Sequence, residues 1–378
     1  MSMTFNKISR PFFAIVTFML LAFQPVLFAQ DHSEHADSTH NEVEEEEFNA
    51  GEMIIHHISD AHEIHLFGDV AIYLPVILYT DNGVKVFSSS HFYHNEKHFT
   101  TAEGKTEHYF EYDGLVMYHE HIYNAEDGIS LNPETGDVLN SSVLDFSITK
   151  TVTGILITCL ILLLVFVSVA RGYKKRKNGA PKGIQSFMEP LILFIRDEVA
   201  IPSIGAKKAD RYMPFLLSTF FFIWIANILG LIPFIGGFNV TGTLSVTLVL
   251  AAIVFIITTF SGNRHYWGHI LWPPGVPLPI KIILVPIELA GIFIKPLVLM
   301  IRLTANITAG HIIILAFVAL VLIFGEMGAT AGYGVGIGSI FFMVFMFFLE
   351  LLVAFLQAYV FTLLAALYFG DATQDAHH

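Results

Sequence analysis

Apolar positions along the chain fall into two different patterns. From about residue 148 onward they form long runs broken by few charges. A run of about 20 apolar residues is enough to cross a hydrocarbon core of ~30 Å. Five such runs are read, at about 148–170, 213–234, 241–261, 282–324 and 339–369. The last two exceed one upright crossing, so they must tilt or bend. The glycine-rich stretch 325–338 joins them into a hairpin, and Pro273, Pro274, Pro277 and Pro279 stiffen the connection before it. Over 186–200, Phe187, Leu191, Phe194 and Ile195 alternate with Glu189, Arg196, Asp197 and Glu198. That spacing predicts an amphipathic helix on a membrane face.

Upstream the pattern is shorter and strand-like. Val70 to Leu74 and Val76 to Tyr79 are rich in β-branched and aromatic residues, and Asp81-Asn82-Gly83 is a turn signal before Val84 to Phe87. The expected fold is an all-α polytopic membrane protein with five transmembrane helices. These include a long tilted C-terminal hairpin. An amphipathic cytoplasmic helix and a small β-containing exported N-terminal domain complete it.

Charge sharpens this division. Charged residues make up 14% of the 378 positions and hydrophobic ones 54%, with a mean hydropathy of +0.62. A soluble domain carries about 25% charge, so a single soluble globule is excluded. Residues 31–146 hold 24 acidic and 3 basic side chains, whereas 147–378 hold 9 acidic and 15 basic ones. An acidic exported part joined to a mildly basic membrane part fits that split. It offers nothing to nucleic acid. Arg171, Lys174, Lys175, Arg176 and Lys177 follow the first run at once, and positive charge marks the cytoplasmic side. Five crossings then leave the C-terminus, ending in His377-His378, in the cytoplasm.

Lys7 and Arg10 precede an apolar stretch that ends at Ala29, the form of a signal peptide. The expected organisation is therefore a signal peptide over 1–29, an acidic histidine-rich mobile segment over 30–53, an exported β-containing module over 54–145 and a membrane domain over 146–378. The location expected is a bacterial inner membrane. Cys159 is the single cysteine, so no disulfide framework or cysteine metal cage exists.

Thirteen of the eighteen histidines lie between residues 32 and 121. His62-Glu63-Ile64-His65, His91 with His94 and His98, and His119-Glu120-His121 are groupings that suit zinc or nickel. None matches a strong zinc motif, so no metal or other cofactor is assigned. A histidine-rich divalent metal transporter is the alternative reading. It requires several His, Asp or Glu ligands at mid-membrane.

The polar groups inside the last two runs carry the functional signal. They are Glu288, Lys295, Arg302, Asn306, His311, Glu350 and Gln357. A charge at the bilayer centre costs roughly 2.5–3.5 kcal/mol on the insertion scale. Arg302, His311 and Glu350 lie too far from any loop to escape that cost. In an antiparallel hairpin, residues at equal depth have a constant index sum. Arg302 with Gln357 sums to 659, and His311 with Glu350 to 661. One geometry thus aligns both pairs, about 13 Å apart along the helices. His311 and Glu350 are able to pass protons once their surroundings tune them. Arg302 stays charged and serves as a fixed cation.

The stretch Lys295-Pro-Leu-Val-Leu-Met-Ile-Arg302-Leu-Thr-Ala-Asn306-Ile-Thr-Ala-Gly310-His311 resembles the core motif of subunit a of the F-type ATP synthase. Ala226-Asn227-Ile-Leu-Gly230-Leu-Ile-Pro233, Asn239-Val-Thr241, Phe194 to Ala200 and Leu356 to Phe361 resemble further segments of that family. The resemblance spans about 186–369. It implies a non-catalytic, proton-translocating stator subunit with two offset half-channels against a rotating c-ring. Arg302 is then the essential gate, and His311 with Glu350 the outer relay. Glu288, Asn306 and Gln357 fall at half-channel positions. The implied partners are the c-ring, the peripheral-stalk b subunits, the catalytic head, lipid and protons. His311 and Glu350 stand in the order seen in mitochondrial members, the reverse of many bacterial ones.

Overall fold

The computed structural model describes residues 51, 54–55, 58–67, 70–80, 83–100, 106–125, 128–130, 138–175, 180–232, 237–326 and 328–374. The signal peptide, nearly all of the acidic segment over 30–53, the turn residues Asp81 and Asn82, and His377-His378 lie outside them. The chain divides into two compact units. One is a β module over His62–Ser147. The other is helical and comprises Ile148–Leu231 and Gly237 onward, together with Asp60 and Ala61.

The β module is built from hairpins. β1 (Glu63–Phe67) pairs with β2 (Val70–Tyr73). β3 (Pro75–Thr80) pairs with β4 (Gly83–Ser88) and, on its other side, with the short β9 (Leu144–Asp145). Thr80 faces Gly83, so the two strands meet at the tight turn read there. After the one-turn helix α1 (Ser90–Tyr93), a four-stranded meander follows. It runs β5 (Glu96–Thr100), β6 (Thr106–Tyr112), β7 (Leu115–Tyr118) and β8 (His121–Asn124). Asp113 and Gly114 close β6 onto β7 with φ of 51° and 72°, as a two-residue primed turn demands. His119 and Glu120 close β7 onto β8 in the same conformation, at 47° and 64°, without a glycine.

All four residues of β7 are buried, so each face of the meander packs a core. Leu115 and Met117 join Val76, Leu78, Phe92 and Ile122 on one side. Val116 and Tyr118 pack with Phe99, Tyr109 and Ala125 on the other. Each such side chain contributes about 1.5–3 kcal/mol on burial.

The helical unit contains five helices long and apolar enough to cross a membrane: α2 (Lys150–Lys175), α5 (Ala206–Gly230), α6 (Leu244–Ser261), α8 (Leu278–Glu326) and α9 (Ala329–Thr373). α8 and α9 have 49 and 45 residues, about 70 Å each at 1.5 Å per residue. Both exceed twice the hydrocarbon thickness; α9 begins ten residues before the apolar run read at 339–369, because residues 329–338 of the glycine-rich stretch expected as the connection are themselves helical. α5 is the most enclosed of the five. Leu216, Phe220, Phe221 and Ile223 meet Ala358, Ala365, Ala366 and Phe369 of α9, together with Leu299 and Leu303 of α8. The small residues on α9 let the backbones approach closely, the usual means of helix association in lipid.

The amphipathic segment departs from its expected form. It folds as α3 (Ile184–Phe194), a π-helical stretch Ile195–Ala200 and the short α4 (Ile201–Ile204). Ile195, Val199 and Ala200 are fully buried in the same core as Phe220 and Phe369, so the segment is a wedge in the helical unit as well as a polar strip. The wider π turn holds Arg196, Asp197 and Glu198 outward in succession and still returns Val199 and Ala200 to the interior. α7 (Arg264–Leu271) fills the connection before α8, and its Asn263 cap accepts a hydrogen bond from the Tyr266 N–H at 2.8 Å.

Candidate functional site

α8 and α9 lie antiparallel, and side-chain meetings mark their alignment. Phe317 and Phe342 approach with ring centroids 4.5 Å apart, an index sum of 659. The Glu350 carboxylate sits against the backbone of Gly310, a sum of 660. Lys295 lies 5.4 Å from the Tyr368 ring centroid, a sum of 663. Its Nζ is also 3.9 Å from the Asp371 carboxylate, a sum of 666. These values bracket the 659 and 661 read from the pairs of polar residues.

The residues at the level of His311 are held by close packing. A Cβ at Gly310 would collide with the Glu350 carboxyl oxygens, so only glycine leaves room for that side chain. Glu350 is 6% exposed. His311 packs against α5, where a Cβ at Gly230 would meet its Nε2 at 3.4 Å and the Phe238 carbonyl oxygen at 2.8 Å. Gly310 thus creates the space in which the carboxyl group sits, and Gly230 lets the Phe238 carbonyl approach α5 beside the imidazole. Neither glycine was singled out as a site position in the sequence. The signal that marks Gly310 is its place directly before His311.

A hydrogen-bonded layer braces this region. The Asn227 amide donates to the Ala354 carbonyl at 3.3 Å, and the Thr241 hydroxyl donates to the Asn227 amide oxygen. Thr247 and Thr304 hydroxyls meet at 2.6 Å, and Thr308 donates to the Gly242 carbonyl at 3.3 Å. These bonds tie α5, α6, α8 and α9 around the candidate pair. Satisfying such polar groups matters most where lipid supplies no partner.

Arg302 and Asn306 are one helical turn apart and both are exposed. Among the described residues Arg302 forms no ion pair. Its neighbours Val298, Ile301, Ala305 and Ala309 are exposed too, as are Leu349, Leu352 and Leu356 at equal depth on α9. The hairpin therefore presents an apolar surface carrying one guanidinium and one amide. Gln357 is half-buried and shares no hydrogen bond with Arg302 among the described residues. Glu288 is half-buried, about 21 Å along α8 from Arg302. Near that end of the hairpin a cleft is lined by Tyr266, Lys295, Tyr368 and Asp371. Burial, then the nearby carboxylates of Asp371 and Glu288, raise the Tyr266 hydroxyl above its ordinary pKa. Tyr266 and Asp371 were not singled out in the sequence. Asp371 is the only acidic residue of α9 besides Glu350, which is the signal that finds it.

The metal-transporter alternative finds no support here. Among the described residues, the one group of His and acidic side chains close enough to share an ion lies in the β module.

A bundle of five membrane-length helices with a buried glutamate, a half-buried histidine and an exposed arginine on one long hairpin defines a multi-pass membrane protein with ion-handling chemistry. The ATP synthase A chain family matches residues 152–370, and the chain belongs to that family. Residues 53–146 match a domain of unknown function (DUF8433). The chain is 42% identical over 238 residues to ATP synthase subunit a of Chloroherpeton thalassium, covering 62% of this chain and 69% of that protein. It is 43% identical over 244 residues to ATP synthase subunit a 2 of Chlorobaculum tepidum, covering 62% and 66%. With ATP synthase subunit a of Anaeromyxobacter dehalogenans the identity is 36% over 280 residues, covering 70% and 69%.

Proposed function

We propose that this chain is the proton-translocating stator subunit of the membrane sector of an F-type ATP synthase, itself non-catalytic, with Arg302 as the gate between two half-channels. The observation that carries the reading is the contrast on one hairpin. The Glu350 carboxyl group is buried against the backbone of Gly310, while Arg302 stands on the exposed apolar face. That face suits the outer surface of a c-ring. The peripheral-stalk b subunits and the catalytic head complete the proposed assembly.

Protons enter from the exported side past Glu350 and His311 and neutralise a carboxylate on a c subunit. That carboxylate then faces lipid without the cost of a buried charge. When rotation returns a protonated site to Arg302, the permanent guanidinium charge favours the ionised form. The released proton leaves past Glu288 and the cleft at Asp371. Asn306 and Gln357 line the passage as polar, non-titrating groups. A potential of 100 mV contributes about 2.3 kcal/mol per charge moved. In this reading the chain sits in a bacterial inner membrane. Residues 1–29 are a signal peptide, 30–53 a mobile acidic segment and 54–145 an exported module, and the C-terminus is cytoplasmic.

The test is Arg302→Ala in the intact complex, reconstituted in liposomes. Coupled ATP synthesis is expected to vanish while the complex still assembles. Arg302→Lys is expected to fail too, because a compact ammonium replaces a planar, permanent cation. Normal synthesis by either variant overturns the assignment.

A further inference from the structure

The β module holds a group of side chains that the hairpin chemistry does not use. His98 on β5 and His108 on β6 are direct cross-strand partners, fixed by a ladder running from Glu96 opposite Phe110 to Thr100 opposite Thr106. Glu96 precedes His98 by two residues, so all three side chains leave the same face of the sheet. One ligand atom from each lies within 4.8 Å of the other two. The imidazole rings of His98 and His108 meet edge to face at 4.5 Å.

The pairing of His108 with Glu96 is unusual. The Nδ1 atom of His108 lies 2.8 Å from a Glu96 carboxyl oxygen. Yet among the described residues that buried nitrogen makes no hydrogen bond. A cation shared by the two atoms requires them to part from this contact distance to the wider spacing of zinc ligands. Ligand atoms on a tetrahedral zinc ion stand about 3.4 Å apart, from bond lengths of about 2.0–2.1 Å. His98 and Glu96 are exposed, so a cation reaches the group from solvent and water completes its coordination.

We infer that Glu96, His98 and His108 form a binding site for a borderline divalent cation of the zinc class on the edge of the meander. Two neutral imidazoles and one carboxylate are the donor set that such ions take with an open position. Binding clamps the edge strand β5 to β6. The histidines grouped by sequence spacing behave differently. Nδ1 of His91 is 3.0 Å from the Ser88 carbonyl, and Nδ1 of His94 is 2.5 Å from the Ser90 carbonyl. Each is thus held by a nearby backbone carbonyl. His62 is held between Glu120 and Asp145, and His65 contacts Glu63.

The experiment is zinc titration of the purified full-length chain in detergent, after chelator treatment, in competition with a chromophoric chelator. His98→Gln alters only an exposed side chain, so the variant keeps its fold. Relative to wild type it is expected to lose one tight zinc equivalent, or to bind it at least about tenfold more weakly. Glu96→Gln is expected to do the same, and His91→Gln to leave the tight equivalent unchanged. Zinc absorption spectra at one equivalent should show two imidazole ligands in wild type and one in His98→Gln. Equal stoichiometry and affinity in wild type, His98→Gln and Glu96→Gln overturn the site, as does an equal loss in His91→Gln.

Discussion

The β module and the helical unit treat their ionisable groups in opposite ways. In the β module nearly every charge near the core has a partner. Lys85 pairs with Asp113 at 2.7 Å, Lys97 with Glu111 at 2.6 Å, and His62 bridges Glu120 and Asp145 at 3.4 Å each. In the hairpin the deep groups are positioned by packing. Glu350 has its place because Gly310 lacks a side chain, and His311 packs against the end of α5 at Gly230. The first arrangement fixes charge and so stabilises a fold. The second leaves charge free to change, which a proton path requires. A salt bridge beside Glu350 would hold it ionised and stop it from relaying.

The largest way to break this contrast, after Arg302, is to fill the space beside Glu350. Gly310→Ala forces the carboxyl group out of its place against the α8 backbone. Proton pumping by the reconstituted complex should fall about 10- to 100-fold, the scale of losing a positioned acid–base group. The amount of assembled complex should not change. Wild-type pumping by Gly310→Ala would show that the seat of Glu350 is irrelevant.

The double exchange His311→Glu with Glu350→His tests whether the two groups act as a pair. Each single change should slow proton uptake, and the double variant should recover part of it. A double variant no faster than the slower single variant argues that the groups work separately.

In the β module the expected effect is on stability and its pH dependence. Burial alone lowers the pKa of His62, but hydrogen bonds to Asp145 and Glu120, and their charges, outweigh it and raise it from 6.5 to about 9. Its contribution, on the order of 3 kcal/mol, is complete below pH 6.5 and is lost as pH rises through about 9. For Asp145, burial raises the pKa, but hydrogen bonds from His62 and Ser147 bring it below 3.8. Its contribution is present above pH 3.8 and is lost as pH falls. Scanning calorimetry of the full chain should show His62→Gln removing the alkaline decline of the module's transition. An unchanged alkaline limb means that the triad carries no charge.

The smallest effect belongs to the solvent-facing pair. Lys85→Met should shift the same transition by less than about 0.5 kcal/mol, since exposed ion pairs contribute little.

The triad also accounts for the turn at His119 and Glu120. Two non-glycine residues at positive φ cost roughly 1–2 kcal/mol each. Glu120 is kept there by the His62 N–H at 3.2 Å and the Tyr93 hydroxyl at 3.3 Å. Nothing local in the sequence marks that turn, whereas Asp113-Gly114 announces the neighbouring one.

Length and apolarity alone determined the five crossings and the long hairpin, because a bilayer imposes one thickness on every run. The index sums of Arg302, Gln357, His311 and Glu350 determined the antiparallel alignment, because a helix advances by a constant rise per residue. The β5–β8 meander was legible only as an unspecific β-containing region, since β7 is buried on both faces and lacks alternation. The inward wedge at Ile195–Ala200 depends on a π turn, which a 3.6-residue periodicity does not reveal. Tertiary structure alone decided which histidines meet. Spacing grouped His91, His94 and His98, whereas the sheet register joined His98 to His108 and Glu96. Contacts between strands depend on a register set by the whole module. The same holds for Gly310 and Gly230, whose importance comes from the Glu350 side chain and the Phe238 carbonyl that occupy the space they leave.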